Sequence, residues 1–384
     1  MLPYNIGNTE SVGFGMGESE RFLSEQIITY IGNKRSLLSF IGDAVEQVKK
    51  ELKKEKLDTF DVFAGSGIVS RFLKQYSNNL YTNDLEDYSR TINTCYLTNK
   101  SEVDLAELDK WHNFLIERLT DDQLINDGFI RRLYSPQNDK KIKSGERVFY
   151  TARNAKYIDT CRQLLDEIPE PYRTLFLGNL LYEASVKNNT SGVFKGFYKN
   201  SETNLGQFGG NGKNALTRIL ADINIQKPIF SNYECNVHVL QGDSNEVCKS
   251  LPEVDLAYLD PPYNQHPYGS NYFMLNLINN YIEPEVISKV SGIPVDWNKS
   301  SYNKKAQALA SLKELCENLN TKYILISFNS EGFVSYEEMV GMLKSMGDVR
   351  TFDHKYNVFR ACRNLRDRDI HVYEYLFLLR KKEK

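Results

Sequence analysis

Apolar residues recur at helical spacing through "RSLLSFIGDAVEQVKKELKKEK", residues 35 to 56, with the lysines gathered on the other face, which predicts an amphipathic helix. "FDVFAGSGIVSRFLKQY", 60 to 76, then reads as a strand, a tight glycine turn and a second helix, and "NLYTNDLEDYS" as another strand ending in an acid. That is a βαβ unit, the building block of a parallel α/β sheet. Beyond residue 100 the pattern turns to long helical stretches: "EVDLAELDKWHNFLIERLT", "ARNAKYIDTCRQLLDEI" and "YRTLFLGNLLYEASVKN". Residues 192 to 216, rich in Gly, Asn, Lys and aromatics, carry too little apolar periodicity for a core element and predict a long loop or irregular hairpin. Strand patterns return at "NVHVLQGDS", "VDLAYLDPPY", "KYILISFN" and "HVYEYLFLLRK". The simplest architecture is one α/β sheet domain made of residues 21–100 and 233–384. A mostly helical insertion, 101–232, divides it, and a flexible Gly-rich leader, 1–20, precedes it.

Composition adds little until it is divided by region. The 384 residues contain no apolar run of membrane-spanning length and no secretory leader pattern, so a cytoplasmic location is expected. Six cysteines are scattered without a C-x-x-C pair, against both a disulfide framework and a zinc site, and no metal is expected. Net charge is only −2, but residues 131–230 hold sixteen Lys or Arg against nine Asp or Glu, which leaves about −9 for the rest. Such asymmetry predicts that the inserted region meets a polyanion, unless it is only a solvated helical face.

Several short motifs fall at predicted strand ends. In "FAGSG", Phe63, Gly65 and Gly67 stand at a strand-to-helix turn, where missing side chains let a ligand approach the backbone; close packing alone would also account for the glycines. Asp84 ends the next strand, about twenty residues on, where an acid accepts from ribose hydroxyls in nucleotide-binding α/β folds. Asp243 in "QGDS" is a third strand-end acid. Upstream, "TYIGNKRS" offers Tyr30 and Lys34, the lysine suited to pairing with a carboxylate. Then "VDLAYLDPPYNQHPYGSNYFML" runs from a strand into two prolines, which end it and hold Asp260 and Tyr263 on a rigid rim. An aromatic amine is a poor nucleophile because its lone pair is delocalised. Hydrogen bonds to Asp260 and to the Pro261 carbonyl would draw the nitrogen toward sp3 geometry, while Tyr263 stacks on the ring.

In this order, "YIGNK", "FAGSG", Asp84, Asp243 and "DPPY" resemble the motifs of the S-adenosylmethionine-dependent DNA adenine-N6 methyltransferases of the D12 class. The order is that of their alpha group, found in Dam-type and restriction–modification enzymes. The resemblance covers 21–100 and 233–384. It implies a Rossmann-like class I methyltransferase sheet with a helical target-recognition insertion, S-adenosylmethionine as cofactor, double-stranded DNA as partner and a flipped adenine as substrate. It further implies contacts of Tyr30 and Lys34 with the methionine moiety, a cofactor pocket at Phe63, Gly65 and Gly67, Asp84 on the ribose and Asp243 on the adenine. Asp260, Pro261, Pro262 and Tyr263 form the implied transfer site. Tyr30 stands where related enzymes carry Trp, and no motif transfers onto the insertion.

For DNA contacts, Lys195, Lys199, Lys213 and Arg218 of the insertion and His266 and Tyr268 beyond "DPPY" are the candidates, with "WNKSSYNKK" (297–305) as a clamp and "YNVFRACRNLRDRD" (356–369) as a basic hairpin. A cognate restriction endonuclease is the candidate protein partner. Cytosine-N4, glutamine side-chain and RNA adenine methylation remain alternatives, as does a non-catalytic DNA-binding specificity module.

Overall fold

A computed structural model describes residues 17–213, 215–330, 332–357 and 371–382. Seven strands form one sheet: β1 Leu57–Asp61, β2 Ser77–Asp84, β3 Asn236–Gln241, β4 Val254–Leu259, β5 Thr321–Asn329, β6 Gly347–Asn357 and β7 His371–Lys381. Their order is β3-β2-β1-β4-β5-β7-β6. The first five are mutually parallel, and β7 runs antiparallel between β5 and β6. β4 is buried at all six positions, which explains why it reads as a continuous apolar run: helices cover both faces of a parallel strand.

One face carries the Leu38–Leu52 and Ile68–Leu73 helices, packed through Leu38, Ile41, Val45 and Phe72. The other carries Lys305–Asn318 and Tyr336–Lys344, packed through Leu312, Leu315, Met339 and Leu343. The insertion forms a third hydrophobic cluster from its Leu105–Arg118, Ala152–Leu165 and Tyr172–Val186 helices. That cluster also takes in Tyr88, Ile92 and Tyr96 of the Asp87–Leu97 helix and Phe273, Leu275 and Ile278 of Phe273–Asn280. The inserted region therefore shares its core with two helices belonging to the sheet pieces, and packing does not break at residue 100 or 233.

Two details differ from the sequence-based expectations. β6 was not anticipated, because "GDVRTFDHKYN" is dense in charge; as an edge strand it pairs only with β7, and charge there is tolerated and discourages further pairing. The expected leader, 1–20, falls mostly outside the described residues, but by Glu18 the chain is already held, its carboxylate accepting from the Asn232 N–H at 3.0 Å. The expected basic hairpin at 356–369 lies outside the described residues apart from the backbone at its start. Among the described residues, no helix is long and apolar enough to cross a membrane.

Candidate active site

Four parallel strands pointing the same way deliver four acids to one edge: Asp61 closes β1, Asp84 closes β2, and Asp243 and Asp260 follow β3 and β4. Strand order reverses between β1 and β4, so the crevice that ligands occupy in open α/β sheets opens there. A pocket of about 890 Å³, including its open mouth, lies at that point and is lined by all four acids.

Its floor is the glycine turn. Gly65 and Gly67 have φ of +50° and +77°, a region that side chains disfavour. A Cβ would stand 2.8 Å from the Tyr30 ring at Gly65 and 2.8 Å from Asn93 Oδ1 at Gly67. Asp84 braces this turn: its carboxylate accepts from the Gly65 N–H at 2.8 Å and from the Glu86 N–H at 3.0 Å. Burial raises its pKa against those hydrogen bonds. Asp243 caps the short helix that follows it, accepting from the Asn245 N–H at 2.9 Å, while still lining the pocket. Phe63 meets Tyr302 edge-to-face at 5.1 Å.

Two further pocket residues and one buried acid behind Lys34 went unread in the sequence. Asp61 accepts from Ser70 Oγ at 2.6 Å through one oxygen, while the other is buried without a hydrogen-bond partner among the described residues; burial pushes its pKa up to about 7. Its place two residues before Phe63 at a strand end was the available signal. Glu86, also pushed by burial to about 7, accepts from Asn276 at 2.6 Å and Asn298 at 3.2 Å. Together with Ser300, Tyr302 and Asn303, Asn298 brings the "WNKSSYNKK" segment into the pocket wall rather than leaving it as an outer clamp. The third, Glu374, had no local signal at all.

At the rim, Lys34 is 4 % exposed, its ammonium 3.2 Å from Asp260 and 2.9 Å from Glu374 on β7. Burial opposes the lysine's charge, but Asp260 and Glu374 together outweigh it and raise its pKa well above the ordinary value. Burial lifts Asp260 to about 6, with Lys34 pulling it down and Glu374 pushing it up. Tyr263 lies with its ring centroid 5.9 Å from the lysine ammonium and its carbonyl accepts from the Phe333 N–H, which holds the residues beyond the prolines in place. Tyr30 packs near-parallel to both Tyr272 and Tyr268, at 4.7 and 5.0 Å with planes within 18°, and those two rings lie 6.0 Å apart. Tyr268 is thus a wall of the pocket.

The basic candidates separate. Lys195 and Lys213 are exposed, and Lys195 Nζ stands 3.4 Å from His266 Nδ1, joining the insertion to the segment beyond Tyr263. Lys199 is half-buried, its ammonium 5.4 Å from the centre of the Phe197 ring. Arg218 turns inward: its guanidinium donates to the carbonyls of Val186, Asn188 and Thr190. It braces the loop instead of presenting its fork outward, supplying donors to three main-chain carbonyls.

Comparison with known proteins identifies a family. Residues 30–342 match the family model for D12 class N6 adenine-specific DNA methyltransferases. The chain is 29% identical over 364 residues to the type II methyltransferase M.CviAII of Paramecium bursaria Chlorella virus 1, covering 92% of this chain and 98% of that one. It is 28% identical over 360 residues to M.NlaIII of Neisseria lactamica, 92% and 99% covered. M.FokI of Planomicrobium okeanokoites is 28% identical over 370 residues, with 92% of this chain and 52% of that longer one aligned.

Proposed function

The chain belongs to the D12 class of N6 adenine-specific DNA methyltransferases, and from that premise we propose that the strand-edge pocket binds S-adenosylmethionine and that Asp260, Pro261, Pro262 and Tyr263 receive the flipped adenine beside it. The observation that carries the proposal is the junction of two spaces: an open, acid-lined pocket meets a rigid acid–proline rim at the switch point of the sheet. The donor set fits the cofactor. Asp61 keeps one buried carboxylate oxygen without a partner among the described residues, suited to an ammonium, and Gly65 leaves the backbone open to close approach. Asp84 and Asp243 are the acids for ribose and adenine, with the Phe63–Tyr302 edge beside the ring. Tyr30 and Lys34 border the methionine end.

When bound, S-adenosylmethionine supplies a methyl group made electrophilic by its sulfonium. Asp260 and the Pro261 carbonyl accept the two N–H bonds of the adenine amine, concentrating its lone pair toward the methyl group. Tyr263 stacks on the base and fixes its height, so positioning and exclusion of water carry most of the acceleration. Lys34 keeps Asp260 ionised, which an acceptor requires. The surplus amine proton leaves to water at the mouth.

A base inside a duplex cannot reach this rim, so the adenine is flipped out at a cost of roughly a few kcal/mol, offset by backbone contacts from Lys195, Lys199, Lys213 and the His266 segment. The named relatives are type II methyltransferases, and the same setting, protection of a host sequence from a cognate endonuclease, is proposed here. Purified protein with labelled S-adenosylmethionine should place label on N6 of adenine in duplex DNA. Asp260→Ala should abolish transfer, roughly a 10³-fold loss, with cofactor affinity kept. Full activity in that variant would refute the assigned site.

A further inference from the structure

Glu374 lies far from every motif in sequence, on a strand antiparallel to β5, yet its carboxylate reaches the Lys34 ammonium. It is 1 % exposed. One oxygen takes both the Lys34 ammonium at 2.9 Å and the Ser327 hydroxyl, and the other is buried without a hydrogen-bond partner among the described residues. Lys34 is therefore shared between a half-buried and a buried carboxylate, and the trio Asp260, Lys34, Glu374 carries a net charge of −1 when all three are ionised.

We infer that Glu374 is a positioning residue for methyl transfer, holding the Lys34 ammonium in place and drawing part of its charge away so that Asp260 stays ionised yet remains a strong acceptor for the adenine amine. The inference rests on Asp260 being the transfer site. A lysine facing a single carboxylate would do the first task and defeat the second. It would keep Asp260 charged but take up its lone pairs and lower its basicity, weakening the hydrogen bond that sharpens the amine. Splitting one ammonium between two acids leaves each only partly compensated. The residual negative charge also faces the end of the pocket where a positively charged methyl donor would react, which is the sign such a site needs.

A purely structural partner for a buried lysine gives a different expectation. Such a residue would satisfy both its oxygens, as the buried Asp255 does by accepting from Lys54, Lys322 and the Asp58 N–H, whereas Glu374 leaves one unmatched among the described residues. The groups facing Asp260 are few. Lys34 approaches from the segment before the Leu38–Leu52 helix, Glu374 from β7 and Asp61 from β1; Tyr258 on β4 and Tyr268 beyond the prolines are the neighbouring phenols. Of the two acids beside it, only Glu374 also holds the lysine. The raised acidity range of Asp260, in which Glu374 opposes Lys34, has the sign expected.

The test compares Glu374→Gln, Glu374→Asp and Asp260→Ala with the wild type, following kcat/KM against pH and S-adenosylmethionine affinity. The glutamine keeps an oxygen for Lys34 and Ser327 and removes only the charge. Its acid limb should move to lower pH by roughly half a unit or more, because Lys34 then acts on Asp260 alone, and its plateau kcat should fall about tenfold. Cofactor affinity should stay within about twofold. Glu374→Asp keeps the charge but shortens the reach. Its limb should stay near that of the wild type while kcat falls, and it can still be read if the glutamine variant does not fold. An unmoved limb with wild-type kcat in Glu374→Gln, or wild-type kcat in Glu374→Asp, overturns the inference. Should Asp260→Ala remain active, the site assignment itself has failed; should it be dead while the Glu374 variants behave as wild type, only the role of Glu374 has.

Discussion

Most acids of the sheet edge and most arginines of the inserted region are buried or half-buried charges, and the fold uses them differently. All seven arginines between 131 and 230 donate to main-chain carbonyls. Arg131 holds Pro136 and Gln137, Arg147 ties Leu133 to Ser288 and Lys289, and Arg162 reaches Ile278. Their charges still add to the field of the insertion, but each has at least one donor committed to the main chain. At the sheet edge, Asp61 and Glu374 each keep an oxygen without a partner among the described residues, and Asp61, Glu86 and Asp260 have pKa values lifted to between about 6 and 7. A buried charge bound to main-chain carbonyls serves the scaffold. A pocket carboxylate left short of partners, as Asp61 is, has an acceptor free for the proposed ligand, since burial without compensation is costly.

The largest test of this contrast is Asp61→Asn. It removes a buried, half-satisfied charge, so S-adenosylmethionine affinity should fall roughly 10- to 100-fold while the melting temperature holds or rises. Calorimetric titration and a thermal scan read both; a lowered melting temperature with unchanged affinity would place Asp61 with the scaffold.

Acidity offers the next discrimination. Asp260 must be ionised to accept from the amine, and its folded pKa of about 6 lies above the ordinary 3.8, so activity should be level above pH 7 and fall as pH drops through about 6. Stability should not fall with it. Where the folded state binds more protons than the unfolded one, unfolding free energy rises as pH is lowered, and Asp61, Glu86 and Asp260 all have that sign between their ordinary and raised values. Parallel pH profiles of kcat/KM and of thermal melting check this, and coincident losses near pH 6 would contradict it.

The smallest effects divide the basic residues. Arg147→Ala and Arg218→Ala should each lower stability by about 1–3 kcal/mol, through carbonyls left without donors, and barely change the salt dependence of DNA binding. Lys195→Ala and Lys213→Ala should do the reverse: an unchanged melting curve, binding weakened several-fold on any sequence, and a salt slope reduced by about one for each phosphate no longer neutralised. Denaturant melts and binding isotherms at several salt concentrations would expose any exchange of these roles.

Most of the sheet was readable because its elements obey local rules. The glycine turn at 65–67, the acid at Asp84 and the proline stop after Asp260 are punctuation that stays near one point of the chain. The Leu38–Leu52 helix shows in its apolar spacing and ends where Lys53 turns left-handed. β6 was hidden by its charges, since an edge strand with little to bury loses the alternation that marks a strand. The basic surplus of 131–230 pointed toward a polyanion without distinguishing Arg218, folded inward, from Lys213, exposed in solvent. That distinction depends on which carbonyls need donors, and only the packed chain decides it.

By itself the sequence determined the order of the motifs, hence the strands and the residues carried at their ends, because periodicity and turn chemistry act over a few neighbours. Only the tertiary structure decided how those ends combine. Lys34 and Glu374, 340 positions apart, meet at Asp260 because β7 is inserted antiparallel beside β5, which brings Glu374 opposite Asn329 and next to the strand-end acids. No local pattern encodes that meeting. Its electrostatics exist only where burial removes water, so a lysine that looks solvated in the sequence becomes the shared counter-ion of two acids in the fold.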